Sequence, residues 1–552
     1  MLKVFCILFC TFILAGAVGP GPGLGLGLGL GHENERTFVI KSGDRLANMH
    51  PAGSYVLASD IDMRGYEDRV PIDFKGCLDG QGYRIKNLQG GLFNTLDGAH
   101  IKNLRMEGSH VQGAADSSLG VLASTIINTA LENIQVEDAI VSGGAFTGGL
   151  VGEVFENSII DTCRFNGKVS GFGHTGGLIG TAYSRKGDII IKNSISQGAV
   201  STFISKRSGD MGGFAAVLRG CTVSDSLSLG APVVSGLTGN AGGFVGTAEN
   251  TVFKSCESLR DVEGMYRVGG FAGFLSKEGV LISCRSSGDV YSEGSETPGG
   301  ISVAGGFVGA AQGKELPKNA NHSIKIVGSH ASGGVRTKGG MAGGFAGSLM
   351  YTTVDAGSGS GDVIVSGTPD IPIEISSVGG FAGRLSHRSR ITNACAYGDV
   401  NNPAGRQTGG FVGIITHGSG IEYAFSSGDV RGLADVGGFA GAVAAAGAPN
   451  TLFGCISFAG WVSAGGECIH RLVGRLDHEG VNNCYAYLGT VVAAGDNLRH
   501  VVPNPYGSDG GDINNQTIEG VLSRLGWDSR YWDYAWEDDI LRKPRLISLN
   551  NF

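Results

Sequence analysis

The sequence repeats a five-residue phrase, Gly-Gly-Phe-(Val/Ala)-Gly or a close variant, ten times between Gly148 and Gly441. Successive copies start 27 residues apart at the closest (Gly242 to Gly269) and 38 at the widest (Gly305 to Gly343). Such a period is typical of repeat proteins, in which each unit buries its apolar face only against its neighbours. The ten copies begin at Gly148, Gly176, Gly212, Gly242, Gly269, Gly305, Gly343, Gly379, Gly409 and Gly437. We therefore expect one continuous repeat body rather than several globular domains.

The text between the phrases is typical of strands. Short alternating apolar runs end in Gly-x-Val, as in Gly288-Asp289-Val290 and Gly428-Asp429-Val430. The 97 glycines do not recur at every third residue, which excludes a collagen triple helix. Three short strands per unit, joined at glycine corners, predict an all-β fold, a three-sided parallel β-solenoid of about ten to fifteen coils.

The large residue of the phrase recurs at one place in the unit, so we expect it to point inward and to stack from coil to coil. Stacked aromatic rings bury area and add about 0.5–1.5 kcal/mol per pair. The residue after it is always small, and strict alternation would turn it to the other face. The glycines would allow sharp corners, positive φ and close backbone approach. The predicted ladder is Leu150, Leu178, Phe214, Phe244, Phe271, Phe307, Phe345, Phe381, Phe411 and Phe439.

Composition along the chain divides it into five parts. Residues 1–19 have a basic start, an apolar run and small residues at Ala15-Gly16-Ala17, which predicts a secretory signal peptide. Residues 20–36 alternate Gly with Pro or Leu and are expected to form a flexible linker. We assign 37–110 to an N-terminal cap and first coils, 111–500 to the solenoid, and 501–552 to a Trp-rich C-terminal cap that covers the open strand edge. A ligand-binding aromatic patch is the alternative for the last part.

The predicted compartment is extracellular, with no membrane span, since no later apolar run approaches about 20 residues. Asn321 and Asn515 lie in N-x-(Ser/Thr) sequons and are candidate glycosylation sites. A net charge of -8 offers no basic surface for nucleic acid.

Nine cysteines follow the predicted signal peptide, and they show neither a Cys-x-x-Cys pair nor zinc-site spacing. Cys163, Cys256 and Cys284 each lie six residues before a valine, so we expect a buried column of small apolar side chains. Neighbours in that column could pair if oxidised, but the sequence does not fix the pairing.

The phrase at this spacing resembles the GLUG repeat over roughly residues 38–546, and the specificity of the resemblance comes from the copy number. The segment Phe74 to Leu88 and the closing Leu525-Gly526-Trp527-Asp528 also resemble the flanks of such solenoids. The resemblance implies an extracellular, right-handed β-solenoid. Larger members of this family include adhesins and surface proteases, and the resemblance implies that their repeats serve as stalks or binding surfaces.

The best polar constellation is a column of aspartates that follow the turn glycine: Asp289, Asp362, Asp399 and Asp429, with Asp261 as a further candidate. Carboxylates stacked about 5 Å apart repel one another unless a cation bridges them, and calcium is the cation that such a column would hold. The competing interpretation is a row of solvated turn aspartates, and Gly334 interrupts the column. No other cofactor is indicated.

The signatures of β-helical polysaccharide enzymes, which are an Asp pair, Gly-His-Gly and an Arg-x-Lys late in the chain, are absent. Arg84-Ile85-Lys86 lies early in the chain, Thr416-His417-Gly418 lacks the first glycine, and Asp538-Asp539 lies in the predicted cap. We therefore expect a secreted, non-catalytic scaffold for adhesion, matrix or recognition, with an extracellular glycan, a matrix component or a cell-surface protein as partner. The variable arms 292–297 and 311–316 would carry its specificity. A carbohydrate-active hydrolase or lyase and a structural matrix or biomineral protein are the alternatives.

Overall fold

Each repeat closes one coil, because equivalent strands of successive repeats hydrogen-bond side by side in parallel. In the computed structural model Arg267–Gly269 pairs with Val303–Gly305, which in turn pairs with Met341–Gly343. The same relation joins nearly every strand to one in the following repeat and produces a single long sheet. The prediction of an all-β parallel β-solenoid is confirmed.

The structure describes residues 37–202, 209–230, 233–234, 239–294, 301–315, 323–366, 376–466, 468–514, 516–533 and 544–547. Residues 38–552 cluster as one unit, and 1–37 form another that lies almost wholly outside these ranges. The predicted signal peptide, the linker, both sequon asparagines and parts of the two variable arms fall outside them as well. The predicted domain boundaries stay predictions.

A coil contains five short strand segments, more than the three expected per unit, and some run together into longer strands. The strand that leads into the phrase is here called the entry strand, and the strand that leaves it the exit strand. The entry strands are Ser118–Leu119, Phe146–Gly148, His174–Gly176, Met211–Gly212, Asn240–Gly242, Arg267–Gly269, Val303–Gly305, Met341–Gly343, Ser377–Gly379 and Ile469–His470, with the ends of Val400–Gly409 and Val430–Gly437. The exit strands are Phe93–Asp97, Ala123–Ile127, Val151–Phe155, Ile179–Tyr183, Ala215–Arg219, Val308–Gly313, Ala346–Met350, Ala382–Ser386, Val412–Ile415, Ala440–Val443 and Val473–Leu476, preceded by Ile72–Phe74.

Three further segments complete the coil. Third segments are Thr37–Ile40, Ser54–Leu57, Cys77–Asp79, Ile159–Asp161, Ile189–Lys192, Cys221–Ser224, Ile324–Val327, Thr352–Asp355, Arg390–Thr392, Gly420–Glu422, Thr451–Phe453 and Val481–Asn482; Val245–Lys254 and Ala272–Ile282 combine exit and third segments. Fourth segments are Ile61–Asp62, Arg84–Lys86, Leu227–Leu229, Glu257–Ser258, Arg285–Ser286, His330–Ala331, Ser358–Gly359, Cys395–Ala396, Phe425–Ser426, Ile456–Ser457, Tyr485–Tyr487 and Gly511–Ile513. Fifth segments are His110–Gln112, Val233–Val234, Val262–Gly264, Val290–Ser292, Val335–Thr337, Val363–Val365, Trp461–Ala464 and Val491–Ala494. Longer strands that span several segments are His100–Glu107, Ala130–Ser142, Arg164–Gly171 and Ile195–Thr202.

The ladder predicted from the phrase lies in the core. All ten side chains are fully buried, and the rings from Phe214 to Phe439 stack with centroids 4.5 to 5.0 Å apart and planes tilted by 2° to 13°. The residue after each of these is buried too, as Val245 and Ala272 show. Alternation fails here because the chain turns a corner between the entry and exit strands.

The ladder is longer than the repeated phrase predicts, because repeats in which the phrase is incomplete place a residue at the same position of the coil. The Leu122 N–H donates to Leu150 O at 3.0 Å, and the Phe439 N–H donates to Leu472 O at 2.9 Å. Register likewise places Leu92 beside Leu122. The copy around Leu472 reads His470-Arg471-Leu472-Val473-Gly474, which keeps only the last glycine of the phrase.

The phrase glycines serve close approach rather than positive φ. None of them has a φ in the left-handed region. A Cβ on Gly243 would lie 2.2 Å from the carbonyl oxygen of Gly270 in the next coil. Left-handed backbone instead marks the corner between third and fourth segments, where Asn193, Asp225 and Ser255 have φ of 49° to 51°. Because several residue types share that position, the sequence does not display it as a motif.

A second apolar core lies between the fifth segment and the entry strand. Val290, Val335 and Val363, which are the valines of the Gly-x-Val pattern, pack there with Val268 and Ala304 of the entry strands. Each coil therefore encloses two apolar layers, which explains why both patterns recur in one repeat.

The predicted cysteine column is also present. Cys163, Cys256 and Cys284 share one register position and are buried, and Cys256 and Cys284 lie on adjacent coils. Burial raises the pKa of the Cys163 thiol to about 12. The nine cysteines that the structure describes are free thiols, and their pairing under oxidation stays a prediction.

The C-terminal segment packs on the flank of the coils. Helix Ile518–Leu525 and the rings of Trp527 and Trp532 bury themselves against Phe425 and Ile456 of the fourth segments. The indole N–H of Trp527 donates to Gly454 O at 3.2 Å. The short strands Trp532–Asp533 and Arg545–Leu546 pair antiparallel after this helix. Strand Asn497–Leu498 pairs antiparallel with Val491–Ala494. A second helix, Gly43–Ala47, follows the first strand of the chain.

Acid should weaken the fold through His330. Burial, assisted by the charge of Arg285, lowers the pKa of His330 to about 4, whereas an unfolded histidine titrates near 6.5. Between these values the unfolded chain binds the proton and the native chain does not, so the stabilisation present above pH 6.5 is lost as pH falls towards 4. From pH 7.5 to 4.5 we expect the free energy of unfolding to fall by roughly 2 kcal/mol more in the wild type than in His330→Gln. Urea unfolding of both proteins at the two pH values measures this difference. An equal fall in the free energy of unfolding for the wild type and His330→Gln would contradict it.

Candidate functional site

A groove runs across the coils in the angle between the entry and exit strands. Its two walls are columns of outward side chains. The entry wall is formed by the residue that lies two positions before the first glycine of each phrase. The exit wall is formed by the residue that lies five positions after that glycine. Arg267 and Phe274 form one such pair, and Val303 and Ala310 form the next. The ladder and the corners repeat from coil to coil, but these wall residues change at every coil. Concave solenoid surfaces of this kind are the usual binding surfaces of repeat proteins.

The last glycine of the phrase keeps the angle narrow. A Cβ on Gly273 would lie 2.8 Å from the backbone nitrogen of Ala241, on the entry strand of the preceding coil. A Cβ on Gly347 would lie 2.6 Å from Cγ1 of Val303. The two walls therefore contact each other across the floor, as the guanidinium of Arg267 does with the ring of Phe274 at 4.0 Å.

The N-terminal section of the groove is polar, and its side chains bond mainly to one another. Asp210 accepts from the N–H and the side-chain amide of Asn240 at 3.0 and 2.9 Å, and that amide also donates to Thr247 at 3.0 Å. His174 accepts from the Asp210 N–H at 3.1 Å, and burial lowers its pKa. Among these groups Oδ1 of Asn240 is buried without a hydrogen-bond partner in the described part of the chain, and the others already bond within the section.

The middle section is mainly apolar and holds a cavity of about 300 Å³. It spans three coils and is lined by Tyr266, Arg267, Phe274, Ile301, Val303, Ala310, Ala311, Gln312, Met341, Ser348 and Met350. The cavity arises because the exit wall shrinks from Phe274 to Ala310 and Ser348 on the next two coils. Its size is that of a small ligand pocket.

The C-terminal section returns to paired polar groups around a small apolar cluster. Ile414 and Ala442 form the apolar part. Asp435 is buried, which raises the pKa of its carboxyl, and it accepts a charge-assisted bond from Arg475 at 3.0 Å. Ser377 donates to Gln407 at 2.6 Å.

The predicted aspartate column lies outside the groove, at the start of the fifth segments. Each carboxylate accepts a backbone N–H from the next coil at 2.8 to 2.9 Å: Asp289 from Gly334, Asp362 from Asp399, Asp399 from Asp429, and Asp429 from Trp461. Asp261 bonds the N–H of Asp289 in the same way at 2.8 Å. The role that this geometry supports is a ladder of turn hydrogen bonds, and calcium binding by the column stays a prediction.

The part of the chain that the structure describes contains no group of three or more His, Cys, Asp and Glu side chains placed to hold a metal ion. Among those same residues no helix is long and apolar enough to cross a membrane. Asn321 and Asn515 are not described, so their glycosylation stays a prediction.

The comparisons with known proteins point to peptidases. The profile of the N-terminal region of M26 IgA1-specific metallo-endopeptidases matches residues 47–138. An immunoglobulin A1 protease of Streptococcus sanguinis is 32% identical over 128 residues, which cover 21% of this chain and 7% of that protein. One of Streptococcus pneumoniae is 26% identical over 269 residues, which cover 45% of this chain and 12% of that protein. The chain thus spans a small fraction of the length of these relatives.

A crystal structure of a protein from Bacteroides ovatus described as an immunoglobulin A1 protease overlaps 51% of this chain and 84% of that one, at 16% identity and a TM-score of 0.34. A second structure, an IgA1 protease, gives a TM-score of 0.22 at 15% identity.

These matches correct the function expected from the sequence. The prediction of a non-catalytic scaffold for adhesion, matrix or glycan recognition is wrong, because the matching proteins are immunoglobulin A1 proteases. The carbohydrate-active alternative is not supported by them either. The GLUG resemblance is not tested by these matches and stays a prediction. The repeated phrase suggested a scaffold because it contains no reactive side chain, and the N-terminal segment that carries the peptidase similarity holds no complete copy of the phrase.

Proposed function

We propose that this chain acts in the proteolysis of an immunoglobulin-type protein outside the cell, with the groove holding a polypeptide segment of that substrate. The similarity of residues 47–138 to the N-terminal region of M26 peptidases supports the reaction class. The predicted signal peptide supports the compartment. The observation that carries the substrate-binding role is the groove itself, whose walls differ at each coil and enclose a cavity of about 300 Å³.

The metal that the name metallo-endopeptidase implies has no fitting ligand set in the described residues. The sequence also lacks His-Glu-x-x-His, in which two histidines one helical turn apart bind zinc. Its two His-Glu pairs, at His32 and His478, have Arg36 and Asn482 where the second histidine belongs. We therefore assign no step of peptide hydrolysis to a residue, and the proposal concerns how the substrate is bound.

The direct test is binding and cleavage of immunoglobulin A1 by the purified full chain. We expect a dissociation constant in the micromolar range or below, since a cavity of this size with a long groove around it provides an interface of useful area. Biolayer interferometry measures the binding, with serum albumin as the control protein. Gel electrophoresis after incubation, with and without a chelator, measures cleavage. The absence of both binding and cleavage at a protein concentration of about 10 μM would contradict the proposal.

A groove-filling variant gives the same test a structural control. Ala310 lines the cavity and is 8% exposed, so Ala310→Trp should place an indole where the substrate lies and weaken binding by about tenfold or more. Tyr183→Trp changes a 38% exposed ring that does not line the cavity and should leave binding unchanged. Equal effects of the two substitutions would place the substrate elsewhere.

A further inference from the structure

Two arginines face the groove without a carboxylate partner among the described residues. The guanidinium of Arg267 lies 4.0 Å from the ring centre of Phe274 and 4.7 Å from that of Tyr266, which fixes its plane. The Nε of Arg384 is buried and has no hydrogen-bond partner in the described part of the chain. Other charges of the groove are paired, as Arg475 is with Asp435 at 3.0 Å. Both arginines are half-buried, and a partly desolvated cation is stabilised by an anionic partner, so two unpaired arginines in one groove favour the binding of an acidic ligand.

The two arginines flank the cavity along the solenoid. Register places Val303 and Met341 after Arg267 on the entry wall, and Phe274, Ala310, Ser348 and Arg384 in order on the exit wall. Arg267 and Phe274 belong to one coil, so Arg384 lies three coils beyond Arg267. At about 4.8 Å per coil the two positions are roughly 14 Å apart along the axis, the span of about four residues of extended chain.

The lining between the arginines defines what fits there. Val303, Ala310 and Met341 present apolar surface, and Ser348 is the small residue that leaves space beside them. A guanidinium whose face is stacked on aromatic rings keeps its N–H edges for a carboxylate, and arginine matches the two carboxylate oxygens. The site therefore combines an apolar socket with two carboxylate receptors at a set separation.

We propose that the groove binds an internal segment of the substrate polypeptide in which an apolar side chain lies between two acidic residues about four positions apart. The apolar side chain fills the cavity, and the two carboxylates pair with Arg267 and Arg384. This rests on the proposed function, since the polypeptide is the one held in the groove. An internal segment fits better than a chain end, because the groove continues past both arginines to Asn240 and Gln407.

Fluorescence anisotropy with short blocked peptides tests the proposal on the full chain. The probe is an acetylated, amidated peptide with two glutamates four positions apart and a leucine midway between them. We expect it to bind about tenfold more tightly than peptides with either glutamate changed to glutamine or with the leucine changed to serine. Equal affinities of these peptides would overturn the proposal. So would tighter binding of a peptide whose single carboxylate is its free C-terminus.

Variants of the protein assign the contacts. Arg267→Gln and Arg384→Gln should each weaken the probe peptide about tenfold and should abolish the penalty for one of the two glutamine peptides. Arg219→Gln removes an exposed arginine that is paired with Glu249 outside the cavity, and we expect less than a twofold change. If an arginine variant unfolds, Arg267→Lys and Arg384→Lys keep the charge and should bind with intermediate affinity, since lysine lacks the two-pronged geometry.

The result is separable from the proposed function. If the wild-type chain binds immunoglobulin A1 and the two arginine variants bind it equally well, the proposed function stands and the recognition of acidic residues is wrong. If the peptide discrimination is found but immunoglobulin A1 is not bound, the site is as inferred and the proposed substrate is wrong.

Discussion

Replacing Phe345 by alanine should lower the free energy of unfolding by about 3–5 kcal/mol, the range for deletion of a buried aromatic side chain. The side chain is fully buried, and its ring stacks on Phe307 at 4.9 Å and on Phe381 at 4.7 Å. The cavity would open in the middle of the ladder, where the coils on both sides hold the backbone in place and limit collapse. Loss of two stacked contacts adds to the loss of buried area.

Equilibrium unfolding in guanidinium chloride measures this change, and Phe274→Ala is the matched control. Phe274 is the same residue type on an exit strand, but it faces the groove and is only partly buried. Its truncation should cost less than half as much. Phe345→Leu should cost less than about 1.5 kcal/mol, because leucine already occupies this ladder position at Leu178 and Leu472. An equal loss for Phe345→Ala and Phe274→Ala would show that the ladder adds nothing to ordinary burial.

The ladder is the part of this fold that the sequence predicts well, for a physical reason. Stacking an identical side chain in every coil requires the same residue type at the same position, so this constraint appears in the sequence as a residue that recurs in every repeat. The same holds for the valines of the second core, such as Val290 and Val335. The end copies around Leu92 and Leu472 are harder to recognise, because each keeps the apolar ladder residue but lacks part of the phrase. The copy at Leu92 has Asn94 in place of the last glycine, and the copy at Leu472 has His470 and Arg471 in place of the first two.

The groove could not be predicted in the same way. Its walls bring together residues that are seven apart in sequence, such as Arg267 and Phe274. One coil later the same two wall positions hold different residue types. A surface that discriminates among ligands must vary, so no repeated pattern marks it. Knowledge of the register is needed before these residues can be placed on one surface.

The aspartate column shows the reverse case, in which the sequence finds the residues but not their role. The stacking of Asp362, Asp399 and Asp429 follows from the repeat. Their partners do not, because the donors are backbone N–H groups of the next coil, such as that of Asp399 at 2.9 Å from Asp362. Backbone donors have no signature in the sequence, so repulsion between carboxylates suggested a cation.

Gly380→Ala should destabilise the protein by at least about 3 kcal/mol, the upper part of the range for inserted methyl groups. A Cβ at Gly380 would lie 2.2 Å from the carbonyl oxygen of Gly410, which belongs to the backbone of the next coil and cannot rotate away. Relief requires the two coils to separate, which would lengthen the bond from Gly380 N to Gly409 O, now 3.2 Å, and disturb the stacking of Phe381 on Phe411 at 4.8 Å.

The control is a glycine with room around it. A Cβ at Gly520 in helix Ile518–Leu525 would meet nothing within 4 Å, so Gly520→Ala should stabilise the protein by up to about 1 kcal/mol through helix propensity. Thermal unfolding followed by circular dichroism compares the two variants with the wild type. A melting temperature for Gly380→Ala as high as that of the wild type would show that neighbouring coils can move apart at little cost. In that case close backbone approach would not be what fixes glycine in the repeated phrase, and flexibility of the corner would have to explain its recurrence.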